Sequence, residues 1–263
     1  MEKSVLTRAM RLHVVDRLAE DRLDAVNKLH APVKPRDTFY TRFGKRAIDI
    51  VLSGLFLLAT FPLNLILGVC TYFDVGRPIF FRQERAGKNG SVFKIVKFRN
   101  MENLVDERGE LLSPEKRVTR FGTFVRRTSL DELLNFWSIF KGDMSIIGPR
   151  PLPPVYNSRY SKRHIARLSV RPGLECPPRN DLGHVRTWQE QFEDDIWYVE
   201  NVSFLTDCYM LWRLVKFALN RKSSEARAIS QRGTFMGYTL DGRAIGMDEV
   251  PQSYIDECDP AIG

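Results

Sequence analysis

Cysteine and histidine are scarce in this 263-residue chain, with four of each. Cys70, Cys176, Cys208 and Cys258 are widely spaced and form no CxxC pair. That excludes a zinc ribbon and argues against a disulfide framework, leaving reduced thiols on the cytosolic or lipid side. His13, His30, His164 and His184 show no HxxxH spacing, so no zincin-type motif is present. The chain also lacks a G-x-G-x-x-G, a P-loop and a convincing D-x-D metal motif, which argues against a Rossmann-type enzyme of nucleotide sugars. No zinc finger, arginine-rich arm or RNP-like aromatic run supports a nucleic-acid partner. Internal repeats and low-complexity tracts are absent as well.

The most informative absence is that of charge. Ile50 to Phe73, 24 residues, contains no Asp, Glu, Lys, Arg or His. A membrane helix needs about 20 apolar residues. Pro62 sits in the middle of the run, and basic residues flank both ends: Arg42, Lys45 and Arg46 before it, Arg77, Arg82, Arg85 and Lys88 after it. Lys and Arg favour the cytoplasmic side, and here both ends claim that side. A helix bent at Pro62 satisfies both by entering one leaflet and returning. Each limb of about 12 residues would be about 18 Å long at 1.5 Å per residue, too short for a hydrocarbon core of about 30 Å. A spanning helix that tolerates its proline and a buried core helix of a soluble protein are the alternatives. Asn64 is placed to satisfy a backbone group freed by the kink, and Asp49 to pair with Arg46 or Lys45. The run starts far from Met1 and no small-residue cleavage site follows it, so a signal peptide is not expected.

What is present fits that setting. Hydrophobic residues make up 43% of the chain, and the net charge is +8 with a pI near 9.4. The first is enough for a core rather than general disorder. The second implies an anionic partner, and beside an apolar segment this means lipid headgroups or a phosphorylated substrate more than nucleic acid.

The organisation reads as α+β, mostly helical. An amphipathic helix is expected over 2–30, with Val5, Met10, Leu12, Val15, Leu18, Leu23, Val26 and Leu29 at three- to five-residue steps for the most part, ended by Pro32 and Pro35. It would lie on the membrane or pair with a second subunit as a homodimer. Residues 78–101 signal a β-hairpin turning at Gly87-Lys88-Asn89-Gly90. Residues 102–117 read as helix or loop. Helices are expected over 128–141, stopped by Gly142, over 155–168, and over 204–219. The last carries Phe204, Cys208, Leu211, Val215 and Ala218 on one face, with Trp212, Arg213 and Lys216 nearby. That face suits a membrane interface or the core of the same domain. Three regions follow: an arm at 1–41, a membrane-associated domain at 42–222 with the re-entrant helix-break-helix at about 47–73, and a polar tail at 223–263 with no assigned chemistry.

The richest soluble stretch is Arg126-Arg127-Thr128-Ser129-Leu130-Asp131-Glu132-Leu133. Ser129 to Glu132 fits S-x-x-E, a capping box, in which Glu132 merely caps and Asp131 complements the helix dipole. The same geometry also suits phosphate at a helix N-terminus, with Arg126 and Arg127 beside it. An ionised Asp there can attack phosphorus while a neighbouring Glu holds Mg²⁺ against a diphosphate. In the hairpin, strand alternation places Lys97 and Arg99 on one face and Phe98 on the other, with Lys94 nearby. Arg150 lies in a rigid Gly-Pro-Arg-Pro loop that suits a phosphate contact. Each is unremarkable alone, and together they describe a cationic, Mg²⁺-assisted phosphate site next to a membrane.

In order along the chain stand Lys45-Arg46…Asp49 with the proline-containing apolar run, Lys97-Phe98-Arg99-Asn100-Met101, Ser129-Leu130-Asp131-Glu132-Leu133, Lys141-Gly142-Asp143-Met144-Ser145 with Gly148-Pro149-Arg150-Pro151, Val170-Arg171-Pro172-Gly173, and Asp195-Ile196-Trp197-Tyr198-Val199…Asn201-Val202-Ser203-Phe204. Over about residues 42–222 this set resembles the bacterial sugar transferases that make polyprenyl-diphosphate sugars, the monotopic phosphoglycosyl transferases. The resemblance implies a re-entrant anchor at the cytoplasmic face of the bacterial inner membrane. It also implies transfer of a sugar phosphate from a UDP-sugar to polyprenyl (undecaprenyl) phosphate with release of UMP. By the same resemblance Asp131 is the nucleophile, Glu132 supports Mg²⁺, Lys97, Arg126 and Arg150 lie near the phosphates, and Asp195 belongs to a matched motif at the substrate site. Two departures stand out. Phe61 precedes the proline where the family often has serine. Leu174-Glu175-Cys176-Pro177-Pro178-Arg179 replaces a common Ile/Leu-Thr-Gly-Trp-Ala-Gln, leaving Arg179 or Arg186 to supply a lost contact. The departures motivate an alternative, a catalytically degenerate, membrane-anchored scaffold of glycan assembly.

Overall fold

A computed structural model describes residues 7–106, 112–180, 184–219 and 233–257. Helix α1, Arg8–Leu29, opens at Thr7, whose hydroxyl accepts from the Met10 amide at 3.3 Å. The expected start before Thr7, with Val5, lies outside the described residues, as do Cys258 and the Ala218 side chain. Much of the α1 apolar face packs on the chain itself. Val14, Val15 and Leu18 are buried against Met236, Met247, Val250 and Ile255 of the chain's own C-terminal segment.

A π-helical turn, Tyr40–Gly44, leads into α2, Lys45–Val75, 31 residues that stay helical through Pro62. The expected break is absent. Proline removes one ladder bond and can bend a helix without unwinding it, and the flanking turns are intact. Asn64 does not reach a freed backbone group: its Nδ2 donates to Thr60 Oγ1 at 3.2 Å, and Thr60 donates to the Phe56 carbonyl at 2.8 Å.

The burial of α2 is inverted relative to a soluble helix. Asp49, Ser53, Leu67 and Thr71 are buried, Phe56, Thr60, Asn64 and Asp74 are half-buried, and these positions form one stripe at helical spacing. Leu55, Leu58, Phe61, Leu65, Ile66, Val69 and Phe73 face outward, Leu58 and Phe73 being 76% and 81% exposed. Both ends of the stripe rest on the same body. At the start, Asp49 Oδ1 accepts from Ser145 Oγ at 3.1 Å and the Ile146 amide at 3.0 Å. At the end, Thr119 donates to Asp74 at 2.6 Å. Asp49 therefore pairs with neither Arg46 nor Lys45. Arg46 donates to the Ile139 and Phe140 carbonyls at 2.6 and 2.8 Å, and Lys45 pairs with Asp207 at 2.6 Å.

The predicted hairpin forms as β1, Phe80–Ala86, and β2, Val92–Phe98, antiparallel with Phe80 opposite Phe98. Asn89 and Gly90 take the left-handed conformations of the turn, φ 55° and 76°. The described residues 102–106 and 112–113 are not helical, and one turn of helix, α3, follows at Pro114–Arg117. Helix α4, Arg120–Arg127, follows. The helix expected over 128–141 is shorter: a 3-10 turn at Leu130–Glu132 precedes α5, Asn135–Lys141. Gly142, at φ 103°, ends it as expected.

Strand β3, Ser145–Ile147, pairs in parallel with β4, Gly173–Glu175. A Cβ on Gly173 would stand 2.2 Å from the Gly148 nitrogen, so only glycine allows this approach. Between the strands the expected helix over 155–168 is replaced by two 3-10 segments, Pro154–Arg159 and His164–Ser169. The link between them is held by remote side chains: Ser161 N donates to Tyr238 Oη at 3.0 Å and Lys162 N to Asn27 Oδ1 at 2.7 Å. Helix α6, Trp188–Asn201, starts with a full capping box at Thr187 and Glu190. Helix α7, Phe204–Leu219, buries Met210 and exposes Phe204, Leu205, Trp212 and Val215, so its apolar face is not a core face. The tail is ordered over 233–257, contrary to its polar reading. Strands β5, Phe235–Tyr238, and β6, Ala244–Gly246, form an antiparallel pair, followed by α8, Gln252–Asp256.

Candidate active site

Four elements converge on the Asp131–Glu132 pair. Ser129 does not cap a helix. It sits in the left-handed region at φ 57° with no side-chain cap bond, a conformation that is strained for a non-glycine residue. The turn it starts is too short to offer a helix N-terminus, so cations rather than a helix dipole make the site attractive to phosphate. Lys97 of β2 donates to Glu132 Oε1 at 2.5 Å, and Arg150 Nη2 donates to the same oxygen at 3.2 Å. Both of these bonds go to Oε1, and among the described residues none is seen on Glu132 Oε2. The capping-box reading of Glu132 is therefore overturned.

Asp131 is only 8% exposed. Asn100 Nδ2 donates to its Oδ2 at 3.3 Å. The approach that brings Asn100 here depends on Gly122 of α4, where a Cβ would stand 2.2 Å from the Asn100 carbonyl oxygen. Burial pushes the Asp131 carboxyl above its usual range; the Lys97 charge opposes this and the Glu132 charge adds to it. Burial acts on Glu132 in the same direction, but Arg150 and Lys97 outweigh it and hold that carboxyl down at about 2. One carboxylate is thus fixed as an anion, and its neighbour is a more basic, hydrogen-bonded carboxyl.

Arg150 Nη1 donates to Glu175 at 3.1 Å and to the Leu174 carbonyl at 3.2 Å. Arg126 is exposed, and its charge is felt by Asp131. The other sequence-predicted residues lie elsewhere. Arg99 donates to the Val75 carbonyl at the end of α2, where a cation suits the orphan acceptors. Arg179 pairs with Asp194 at 2.7 Å and stacks on Trp197. Arg186 is buried between the Cys176 carbonyl and Asp194. Asp195 is fully buried and paired with Arg167 at 2.8 Å, with no exposed surface of its own. Its pairing nevertheless reaches the site, because Arg167 Nη2 also donates to the Arg150 carbonyl at 2.9 Å. Asn100, Glu175 and Arg167 were not assigned from sequence. The signal that could find them is position: Asn100 lies within Lys97-Phe98-Arg99-Asn100-Met101, and Glu175 within the segment 174–179.

The donor set suits a magnesium ion held mostly by its ligand. Among the described residues no group of three or more His, Cys, Asp or Glu gathers. The open Oε2 of an ionised Glu132 offers one hard oxygen, and Mg²⁺ is commonly held by one or two carboxylates plus substrate phosphates.

Beside the site runs an apolar groove of about 1270 Å³ between α2, the start of the hairpin and α5, lined by residues such as Leu57, Phe61, Leu65, Phe98 and Trp137, with Arg77 among them. Phe98 lines the groove, and its neighbour Lys97 holds Glu132.

A family model described as bacterial sugar transferase matches residues 40–221. The chain is 35% identical over 175 residues to the uncharacterized sugar transferase EpsL of Bacillus subtilis, covering 66% of this chain and 87% of that one. It is 31% identical over 201 residues to a UDP-glucose:undecaprenyl-phosphate glucose-1-phosphate transferase of Xanthomonas campestris, covering 72% of this chain and 41% of the relative. It is 32% identical over 202 residues to an undecaprenyl-phosphate galactose phosphotransferase of Salmonella typhimurium, covering 69% and 41%. The chain thus spans most of the first relative and about two fifths of the other two.

Proposed function

The chain belongs to the bacterial sugar transferases, and on that premise we propose that it transfers a sugar phosphate from a UDP-sugar to polyprenyl phosphate at the cytoplasmic face of the bacterial inner membrane. The observation that carries this reading is the pair of unlike carboxylates, Asp131 and Glu132, with Lys97 and Arg150 fixed on the second.

In the first step an Asp131 carboxylate oxygen attacks the phosphorus that bears the sugar. A bond from oxygen to that phosphorus forms, the bond to the bridging oxygen breaks, and UMP leaves with that oxygen. In the second step a phosphate oxygen of the polyprenyl carrier attacks the same phosphorus. The Asp131 ester bond breaks, which restores the carboxylate and yields the polyprenyl-diphosphate sugar. Phosphoryl transfer of this kind depends on positioning and charge neutralisation, which Lys97, Arg150 and the exposed Arg126 supply. Mg²⁺, bound through Glu132, would neutralise charge on the diphosphate.

Three further observations support the membrane placement. The outward face of α2 is apolar along its length, both ends of α2 rest on one polar body, and the groove is lined by Phe98 and Leu134, close in sequence to Lys97 and Glu132. An upright spanning helix of 31 residues, about 46 Å long, would carry those two contacts to opposite faces of the membrane. A helix lying in one leaflet keeps both, and it sets the site at headgroup level, where an isoprenoid tail and a soluble nucleotide meet.

Glu175 against Arg150 favours a second reading, a scaffold that no longer turns over. Protein in detergent, Mg²⁺, polyprenyl phosphate and a panel of UDP-sugars separate the two. The transferase releases UMP with at least one donor and, without acceptor, carries a sugar-phosphate mass on the peptide containing Asp131. Asp131→Asn abolishes both. UMP release by no donor, or an adduct that survives Asp131→Asn, would overturn the assignment.

A further inference from the structure

The C-terminal strand β5 lies outside the family-matched segment, yet it is built into the support of the phosphate loop. Phe235 is fully buried. Its amide donates to Tyr156 Oη at 3.2 Å, and its carbonyl accepts from the buried Arg159 at 3.2 Å. Its ring meets Phe192 edge-on at 4.9 Å and stacks with Tyr160 at 5.9 Å. Those two rings form the seat of Arg167, whose guanidinium lies 5.5 Å from each. Tyr160 Oη also accepts from Arg167 Nη1 at 3.1 Å. Arg167 then holds the Arg150 carbonyl at 2.9 Å, and Arg150 holds Glu132. Contact is continuous from the tail to the Glu132 carboxylate. The loop has little other freedom. Pro149 and Pro151 fix φ on both sides of Arg150, the Gly173 amide donates to the Pro149 carbonyl at 3.0 Å, and the Ala86 amide donates to the Leu152 carbonyl at 2.9 Å.

We propose that Phe235 is a positioning residue for the transfer reaction: the C-terminal segment acts as a clasp that seats Arg167 and thereby aims Arg150 at the diphosphate. The role in turnover rests on the proposed transferase function. The mechanical part does not. Emptying the Phe235 site lets the Tyr160 and Phe192 rings relax toward the void. Arg167 loses its seat, and Arg150 drifts from Glu132.

The internal control is Met236, the next residue of β5. It is also fully buried, but it packs in the other core, against α1. Full-length protein is compared as wild type, Phe235→Ala, Phe235→Leu, Tyr160→Phe, Met236→Ala, Arg150→Lys and the Phe235→Ala/Arg150→Lys double variant. UMP release is read together with amide exchange at Ala86 and Gly173. Phe235→Ala is expected to lower kcat/KM by about ten- to a hundredfold, the scale of a misplaced contact. Phe235→Leu recovers most of the loss, and Tyr160→Phe, which keeps the fold, falls in between. Met236→Ala stays within about twofold of wild type despite a comparable loss of melting temperature. The double variant is no worse than Arg150→Lys alone, because coupled residues are not additive. Exchange at Ala86 and Gly173 speeds up in Phe235→Ala and not in Met236→Ala. Additive losses, or equal effects of Phe235→Ala and Met236→Ala, overturn the proposal. If wild type releases no UMP with any donor, the transferase reading fails, and exchange alone then decides whether the clasp holds the loop: unchanged exchange in Phe235→Ala overturns it.

Discussion

Two adjacent carboxyls share one site, and their surroundings drive their proton affinities apart. Glu132, at about 2, lies below its ordinary value of 4.5. Its ionisation therefore stabilises the fold above pH 4.5, and that contribution is lost as pH falls toward 2. Asp131 is shifted the other way. Its charge costs stability above its folded pKa, and protonation relieves that cost as pH falls. Only the anion attacks phosphorus, so UMP release should lose its acid side at a pH above the usual Asp value, with Glu132 still charged there. A pH–rate profile with no acid limb above pH 4 would contradict the assignment. Glu132→Gln removes the low-pH loss of stability, which urea melts at pH 3 and pH 7 would detect. Asp195 is expected to matter for a different reason. Asp195→Ala leaves Arg167 charged and unpaired in the core, which should cost about 3–5 kcal/mol by denaturant titration. Asp131, Glu132, Lys97 and Arg150 were legible in the sequence because a motif carries each of them. The pairing of Arg179 with Asp194 and of Asp195 with Arg167 is not legible in the sequence, where either residue could have met any of many charges. S-x-x-E suggested a cap because the pattern is local, whereas the partners of Glu132 lie 35 and 18 residues away.

Among the elements, α2 differs most from its sequence-based expectation. Its length and lack of charge were plain, but its buried polar stripe needs the partner surface to be seen. Ser53 and Thr71 read as incidental polar residues in a greasy helix, yet they face the body while leucines face out. The helix continues through Pro62 because a proline costs a helix one hydrogen bond and need not end it. The order of the tail is hidden in the sequence for a different reason. Strands of three and four residues carry too little periodicity to stand out, and their burial depends on α1, more than 200 residues away in sequence. The segments around Arg159 and His164 are held by the tail's side chains, so their propensity alone misled. If the outward face of α2 lies in lipid, Leu65→Lys should weaken membrane binding by about 2.5–3.5 kcal/mol, read as the protein fraction that floats with vesicles. Thr7→Ala, at the N-cap of α1, should leave flotation unchanged and reduce stability by about 1 kcal/mol through the lost cap. Equal flotation of Leu65→Lys and wild type would count against a lipid-facing α2.

At the scale of the whole molecule, a basic body of net charge +8 carries exposed apolar surface on α2 and α7, and its candidate site adjoins an apolar groove. The account depends on both ends of α2 lying on one side of the bilayer, because only then do the contacts at Asp49 and Asp74 coexist with an immersed apolar face. The most direct test is side-specific labelling with a membrane-impermeant maleimide. Single cysteines are placed at the exposed positions Asp37 and Arg82 in a background without the native cysteines. The account predicts that both are labelled in inverted vesicles and both are protected in intact spheroplasts. One position labelled from each side would contradict it.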